Sequence, residues 1–220
     1  MRSTPFVLAT LATLALAGSV HAEGVAATLN TGFPLGMGVD LTYRLSPHFN
    51  VRAGGGLPAE REVNDVKFGD VKYDMKPKFG GVNAFVDWHP FAGSFHVSGG
   101  LVTFRDPWTL KASPVSSYKI NGVTYAAQDV GTLSGELRTQ NTVAPALLVG
   151  WGNPVRPGKH LGVVFDVGVA YVGRLDFELN ANGPLANDAQ FRRDLDAEQR
   201  RHSSDHALYP VLKLGLSYQF

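Results

Sequence analysis

The chain has 220 residues, with 20 lysines and arginines against 19 aspartates and glutamates, and no cysteine. That length is one domain of ordinary size. The charge balance offers no basic excess for nucleic acid, and the absence of cysteine excludes disulfides, thiol catalysis and cysteine-ligated zinc.

Residues 1–22 read as a secretory signal. Arg2 supplies the positive start, Phe6 to Ala17 the apolar core, and Val20-His21-Ala22 the small-residue exit. The expected mature domain is 23–220. Loss of Arg2, the one Lys, Arg, Asp or Glu in the signal, leaves 19 basic residues against 19 acidic. Beyond the signal no run of about 18 apolar residues occurs, so no transmembrane helix is expected.

Eight segments alternate apolar and polar residues: 25–33, 39–45, 49–57, 82–88, 95–101, 143–151, 161–171 and a last one from Leu208 to Phe220. Each is near the 9–11 residues with which a tilted strand crosses hydrocarbon. Eight such strands predict an all-β fold, an antiparallel up-and-down transmembrane β-barrel. Connections after strands two, four and six are short, and those after three, five and seven are long. This matches short periplasmic turns and long outer loops. Tyr43, Trp88 and Trp151 fall at the periplasmic strand ends and Tyr171 at an outer end, where amphipathic rings make a girdle.

The outer loops carry local signals. Residues 66–73 read as a hairpin continuing strands three and four above the membrane. Tyr118 to Tyr125 reads as a second hairpin, because Asn121-Gly122 suits a type I′ turn; its recruitment into the wall would make a ten-stranded barrel. Asp188 to Arg201 reads as a short helix in the last loop, capped by Asn187 or Asp188. Arg192, Arg193, Arg200 and Arg201 alternate there with Asp188, Asp194, Asp196 and Glu198, a pattern of intrahelical pairs.

The inward parity places Asp40, Arg44, Arg52, Asp87, Asp166 and Lys213 in the lumen, together with His96. An eight-stranded barrel is only wide enough for its own side chains. Charges there must pair, so they read as a salt-bridge network that plugs the lumen, with Asp40–Arg52 and Asp166–Lys213 as the expected pairs. His202-Ser203-Ser204-Asp205-His206 offers ligand types but reads as a solvated loop, and no metal or cofactor is expected.

The final strand brings a resemblance. Lys213, Gly215, Tyr218 and Phe220 resemble the C-terminal assembly signal of bacterial outer-membrane β-barrels. Tyr118 to Tyr125, Asp129 to Leu133 and Gly150 to Asn153 are similar to a group of proteobacterial outer-membrane proteins of unassigned role. Eight-stranded barrels of the OmpA, OmpX and OmpW kind are similar in fold and in their internal salt-bridge networks. The resemblance implies a monomer in the Gram-negative cell outer membrane. Its partners would be membrane lipid and lipopolysaccharide, the barrel-insertion machinery and, in transit, periplasmic chaperones. It brings no catalytic residues. His96-Val97-Ser98 is similar to the His-x-Ser pairing of an outer-membrane lipid A deacylase, but both side chains face the lumen, where lipid cannot enter. The expected role is structural or surface-interacting through the outer loops, and no enzyme is expected. A small pore for ions or hydrophobic solutes is the alternative, and a lipid-modifying enzyme the third reading.

Overall fold

The computed structural model describes residues 24–68, 71–103, 105, 108–112 and 116–220. The expected signal segment and cleavage point lie outside these residues, as do Gly69 and Asp70, the expected tip of the hairpin at 66–73.

Eight strands close into a barrel. They are β1 (Val25–Phe33), β2 (Gly36–Arg44), β3 (Phe49–Glu60), β6 (Lys78–Trp88), β7 (Phe95–Thr103), β12 (Val143–Trp151), β13 (Leu161–Ala181) and β14 (Ser204–Gln219). Each pairs antiparallel with its neighbours in that order; β14 returns to β1, and β12 pairs with β13. Period-two alternation explains the wall, because successive side chains of a strand point to opposite faces. On β12, Val143, Leu147, Val149 and Trp151 are exposed while Ala144, Ala146 and Leu148 are buried. The exposed set continues round the wall through Leu29, Leu41, Val82, Leu101, Val163 and Leu216. A contiguous belt of this size on a monomer is a surface made for hydrocarbon.

The remaining strands build a second layer above the wall. β13 has 21 residues, about 70 Å of strand, and so runs far beyond the membrane span. Its upper part, bulged at Gly173, pairs with β11 (Leu133–Thr139), which pairs with β8 (Trp108–Ala112). Next come β5 (Val71–Lys76) and β4 (Val63–Phe68). The inner face of this outer sheet carries Tyr73, Met75, Trp108, Leu110, Leu133, Leu137, Phe177 and Leu179. It is covered by the hairpin β9 (Ser117–Ile120) and β10 (Val123–Ala126), by the short helix α1 (Ala127–Val130), and by α2 (Ala189–His202) with Phe191 and Leu195. A one-turn 3₁₀ helix, Pro184–Asn187, leads into α2.

Two expectations are met and two are refined. The β9–β10 hairpin forms its own two-stranded sheet, so the barrel has eight strands and not ten. Asn121 and Gly122 at its tip both have positive φ, +50° and +80°, as a type I′ turn requires. The hairpin β4–β5 does continue β3 and β6, but β5 also bonds to β8 and so becomes part of the outer sheet. Strand eight begins at Ser204, four residues before its expected start, because β14 extends up to meet the long β13.

Candidate functional site

The lower lumen holds the charged set. Arg52 on β3 lies at its centre, 3% exposed. Its Nη1 donates to Asp166 Oδ2 at 2.6 Å, and its Nη2 donates to Asp87 Oδ1 at 3.1 Å. β13 lies four strands from β3 in a ring of eight, so Arg52–Asp166 ties opposite walls. Lys213 on β14 reaches over β1 to Asp40 on β2, with Nζ to Oδ2 at 2.6 Å. Asn83 donates to the other oxygen of Asp40 at 3.1 Å. Ser98 donates to Asp87 at 2.6 Å, and His96 Nε2 meets Asp166 Oδ1 at 2.7 Å.

The pairing differs from the sequence expectation. Asp166 and Lys213 are register partners on adjacent strands, yet their side chains turn to other partners. Neighbouring side chains on one face of a sheet project side by side into the lumen, whereas those on facing walls meet end to end. Asp40 and Arg52 do approach, but at 3.9 Å, while the short contact of Asp40 is with Lys213. Arg44 does not join the network. It ends β2 at the barrel mouth, half-buried, with Nε donating to Ser46 O in the next turn at 3.4 Å.

Two glycines make the cross-strand contacts possible. Gly150 lies between His96 and Asp166 in register. A Cβ there would come within 2.4 Å of His96 Nε2 and 2.5 Å of Asp166 Oδ1. Gly54 lies likewise between Asp40 and Asn83, and its Cβ would meet Asp40 Oδ1 at 2.1 Å. Gly150→Ala is therefore expected to cost about 1–3 kcal/mol as an overpacked site, measured by urea unfolding in lipid vesicles. His96 Nδ1 faces Ser94 O at 3.2 Å and Nε2 faces Asp166 Oδ1 at 2.7 Å, so a protonated ring would donate to both. Three aspartates thus face Arg52, Lys213 and His96. Lys213→Met is expected to lower the unfolding temperature by removing the short partner of Asp40, though by less than loss of Arg52, since Asn83 and the distant Arg52 still face that carboxylate.

This geometry does not pair His96 with Ser98. Ser98 donates a hydrogen bond to Asp87 and His96 is held by Asp166, with no His96–Ser98 hydrogen bond among the described residues. His202 and His206 also go separate ways. His202 Nδ1 donates to Glu198 O within α2, and His206, on β14, bonds the Tyr171 hydroxyl.

Above the charges the lumen turns apolar. Phe85 lies over the Arg52 guanidinium at 5.4 Å, and Val102, Ala144, Leu148, Ala170, Val172 and Val211 fill the bore. The outer lobe closes over this layer, with Leu175 and Tyr209 packing against both cores. On the wall, Tyr43, Trp88, Trp151 and Tyr171 are all exposed toward the lipid side. In the last strand Lys213 is buried in the network, whereas Tyr218 and Phe220 lie outside, 5.4 Å apart edge to face.

The outer lobe has its own polar clamp, which sequence reasoning did not foresee. Asp188 caps α2, accepting from the Gln190 and Phe191 amides. Asp194 and Glu198 are buried; Glu198 keeps the expected pairing along the helix, with Arg201 and His202 at 3.6 Å, whereas Asp194 turns to the hairpin. Asp194 accepts from Tyr125 Oη at 2.5 Å and Asn121 Nδ2 at 3.0 Å, and Glu198 accepts from the Asn121 amide at 3.0 Å. The hydrogen bonds from Tyr125 and Asn121 hold the Asp194 carboxyl below the usual carboxylate range. Burial, and then the bond to Asp194, push the Tyr125 hydroxyl up to about 12. A lowered carboxylate stabilises the fold above its unfolded value, near pH 3.9, and loses that contribution as pH falls through the folded value. A raised tyrosine contributes fully below about pH 10 and loses it as pH rises through about 12. The clamp is thus expected to open in strong acid, read by near-ultraviolet circular dichroism, and Asp194→Asn should remove the acid step.

Comparison with known proteins follows from this architecture. The chain is similar to CarO2 of Acinetobacter baumannii, at 20% identity and a TM-score of 0.67, with 90% of this chain and 98% of that one covered. CarO of the same organism matches at 21% identity and a TM-score of 0.62, over 90% and 97%. The chain has the fold of a small bacterial outer-membrane barrel. At these identities the likeness is one of fold. No protein-family model and no curated protein sequence matches the chain.

Proposed function

We propose that the protein is a closed, non-conducting barrel of the Gram-negative outer membrane that acts through its outer lobe as a structural or surface-interaction module. The burial of the bore supports this reading most. Arg52, Asp166 and Lys213 are 3%, 1% and 2% exposed, and Val102 and Leu148 above them 0%. A water-filled pore would leave its wall groups wet; these side chains meet one another. The salt-bridge network acts as the plug and the apolar layer as its lid. The last strand, with Tyr218 and Phe220 outside and Lys213 inside, serves the insertion machinery as its assembly signal.

A topological experiment tests the outer half of this reading. The chain has no cysteine, so a single introduced thiol reports its own side of the membrane. Asn187→Cys, exposed in the outer lobe, should react with an impermeant maleimide on intact cells. Lys159→Cys, in the turn between β12 and β13, should react only after the outer membrane is opened. The reverse pattern would overturn the orientation and the surface role together.

A further inference from the structure

The charges of α2 are not spent as its sequence suggests. Four arginines and three acids alternate within Ala189–His202. Asp194 and Glu198 are buried with Phe191 and Leu195 against the lobe and are consumed by the clamp on Asn121 and Tyr125. Asp196 alone of the helix acids stays outside, with Arg192, Arg193, Arg200 and Arg201 all exposed. Arg192, Asp196 and Arg200 succeed one another at four-residue spacing and share one face, with Arg193 beside them. A helix with a surplus of one arginine in sequence thus presents a strongly basic face in the fold. Arg201 is partly engaged, by Glu198 at 3.6 Å and Asn121 at 3.2 Å. The basic face adjoins a cleft of about 410 Å³ between α2 and the end of β13, whose lining includes Asn180, Arg192, Asp196 and Gln199. Those are the planar polar groups that bond sugar hydroxyls.

The height of this face identifies its surroundings. Ser204, two residues beyond α2, pairs with Leu175, four residues above Tyr171 on the lipid-exposed wall. At about 3.3 Å per residue the C-terminal turn of α2 lies roughly 13 Å further along the strand than Tyr171, or about 10 Å higher at the usual strand tilt. That is past the hydrocarbon, in the headgroup layer of the outer leaflet. The arginine fork suits phosphate in two-point contact.

We propose that the outward face of α2, with the cleft beside it, docks the phosphorylated sugar headgroup of the surrounding lipopolysaccharide. This rests on the outer lobe facing the cell exterior.

The test is binding of purified lipopolysaccharide to the refolded protein in detergent micelles, by thermophoresis at low and physiological salt. Arg192→Gln/Arg193→Gln/Arg200→Gln should weaken binding about tenfold or more, and Arg138→Gln, on a different strand and paired with Glu136, should leave it unchanged. Asp196→Asn should tighten it, a gain that misfolding cannot produce. Lipopolysaccharide stripped of phosphate should bind the native protein as weakly as native lipopolysaccharide binds the triple variant. Equal binding of the stripped form, or an unaltered triple variant, would overturn the proposal. So would competition by inorganic phosphate at matching concentration, which would assign the face to free anions. Thiol labelling on cells fails or succeeds independently of these outcomes, so a wrong orientation and a wrong ligand are told apart.

Discussion

Arg52→Met is expected to destabilise the barrel by about 3–5 kcal/mol, the cost of stripping the partner from buried charges. The side chain is almost wholly buried and touches all three lumen aspartates, at 2.6 Å to Asp166, 3.1 Å to Asp87 and 3.9 Å to Asp40. Without it, among the described residues Asp166 keeps His96 and Asp87 keeps the Ser98 hydroxyl. The pair is dear to break but not in itself a large source of stability, because both ions lost their water on folding. Adding Asp87→Asn and Asp166→Asn to Arg52→Met should therefore recover much of the loss. The readout is the urea midpoint of the heat-modifiable folded form in vesicles. A single variant that unfolds like the native protein would show that the charges are screened by water and the lumen is wet.

Phe191→Ala should act on the other half of the molecule. Phe191 is fully buried where α2 meets the lobe, with the Tyr125 ring edge-on at 5.0 Å. Deleting a buried phenylalanine side chain costs about 3–5 kcal/mol through lost contacts and the cavity left behind. The lobe core includes Tyr73, Trp108 and Phe177 and is largely separate from the apolar layer of the bore. The expected result is local: protease should cut within 116–135 and 182–203, while the barrel keeps its folded migration on a gel. Loss of both together would show that lobe and wall unfold as one unit.

The two halves differ in how far the sequence disclosed them. The wall was plain, because hydrocarbon on one side and a polar lumen on the other force alternation over seven or more residues in each of eight segments. The lobe was not. Trp108-Thr109-Leu110-Lys111-Ala112 and Leu133 to Leu137 alternate as well, but they are too short to span a membrane. Above the membrane that length requirement lapses, and five residues suffice once a long neighbour such as β13 offers an edge. The lumen groups were legible by parity, yet their partners were not, since parity gives a face and says nothing of which opposite wall a side chain can reach. Gly54 and Gly150 held part of that answer. A glycine in register between two polar residues marks a gap through which they can bond. Arg44 shared the parity of the network but sat at the mouth, where a turn carbonyl was nearer. In α2 the alternating charges pointed to pairing along the helix, which Glu198 makes with Arg201; the bonds of Asp194 and Glu198 to Asn121 and Tyr125 come from the docked hairpin and were not legible.

Single-channel conductance of the refolded, heat-modifiable protein in a planar bilayer tests the closed lumen most directly. A silent bilayer, with folded protein recovered from it, is the predicted result. Stable, reproducible conductance steps would contradict the account, because current through this barrel would have to pass the Arg52 network and the apolar layer above it.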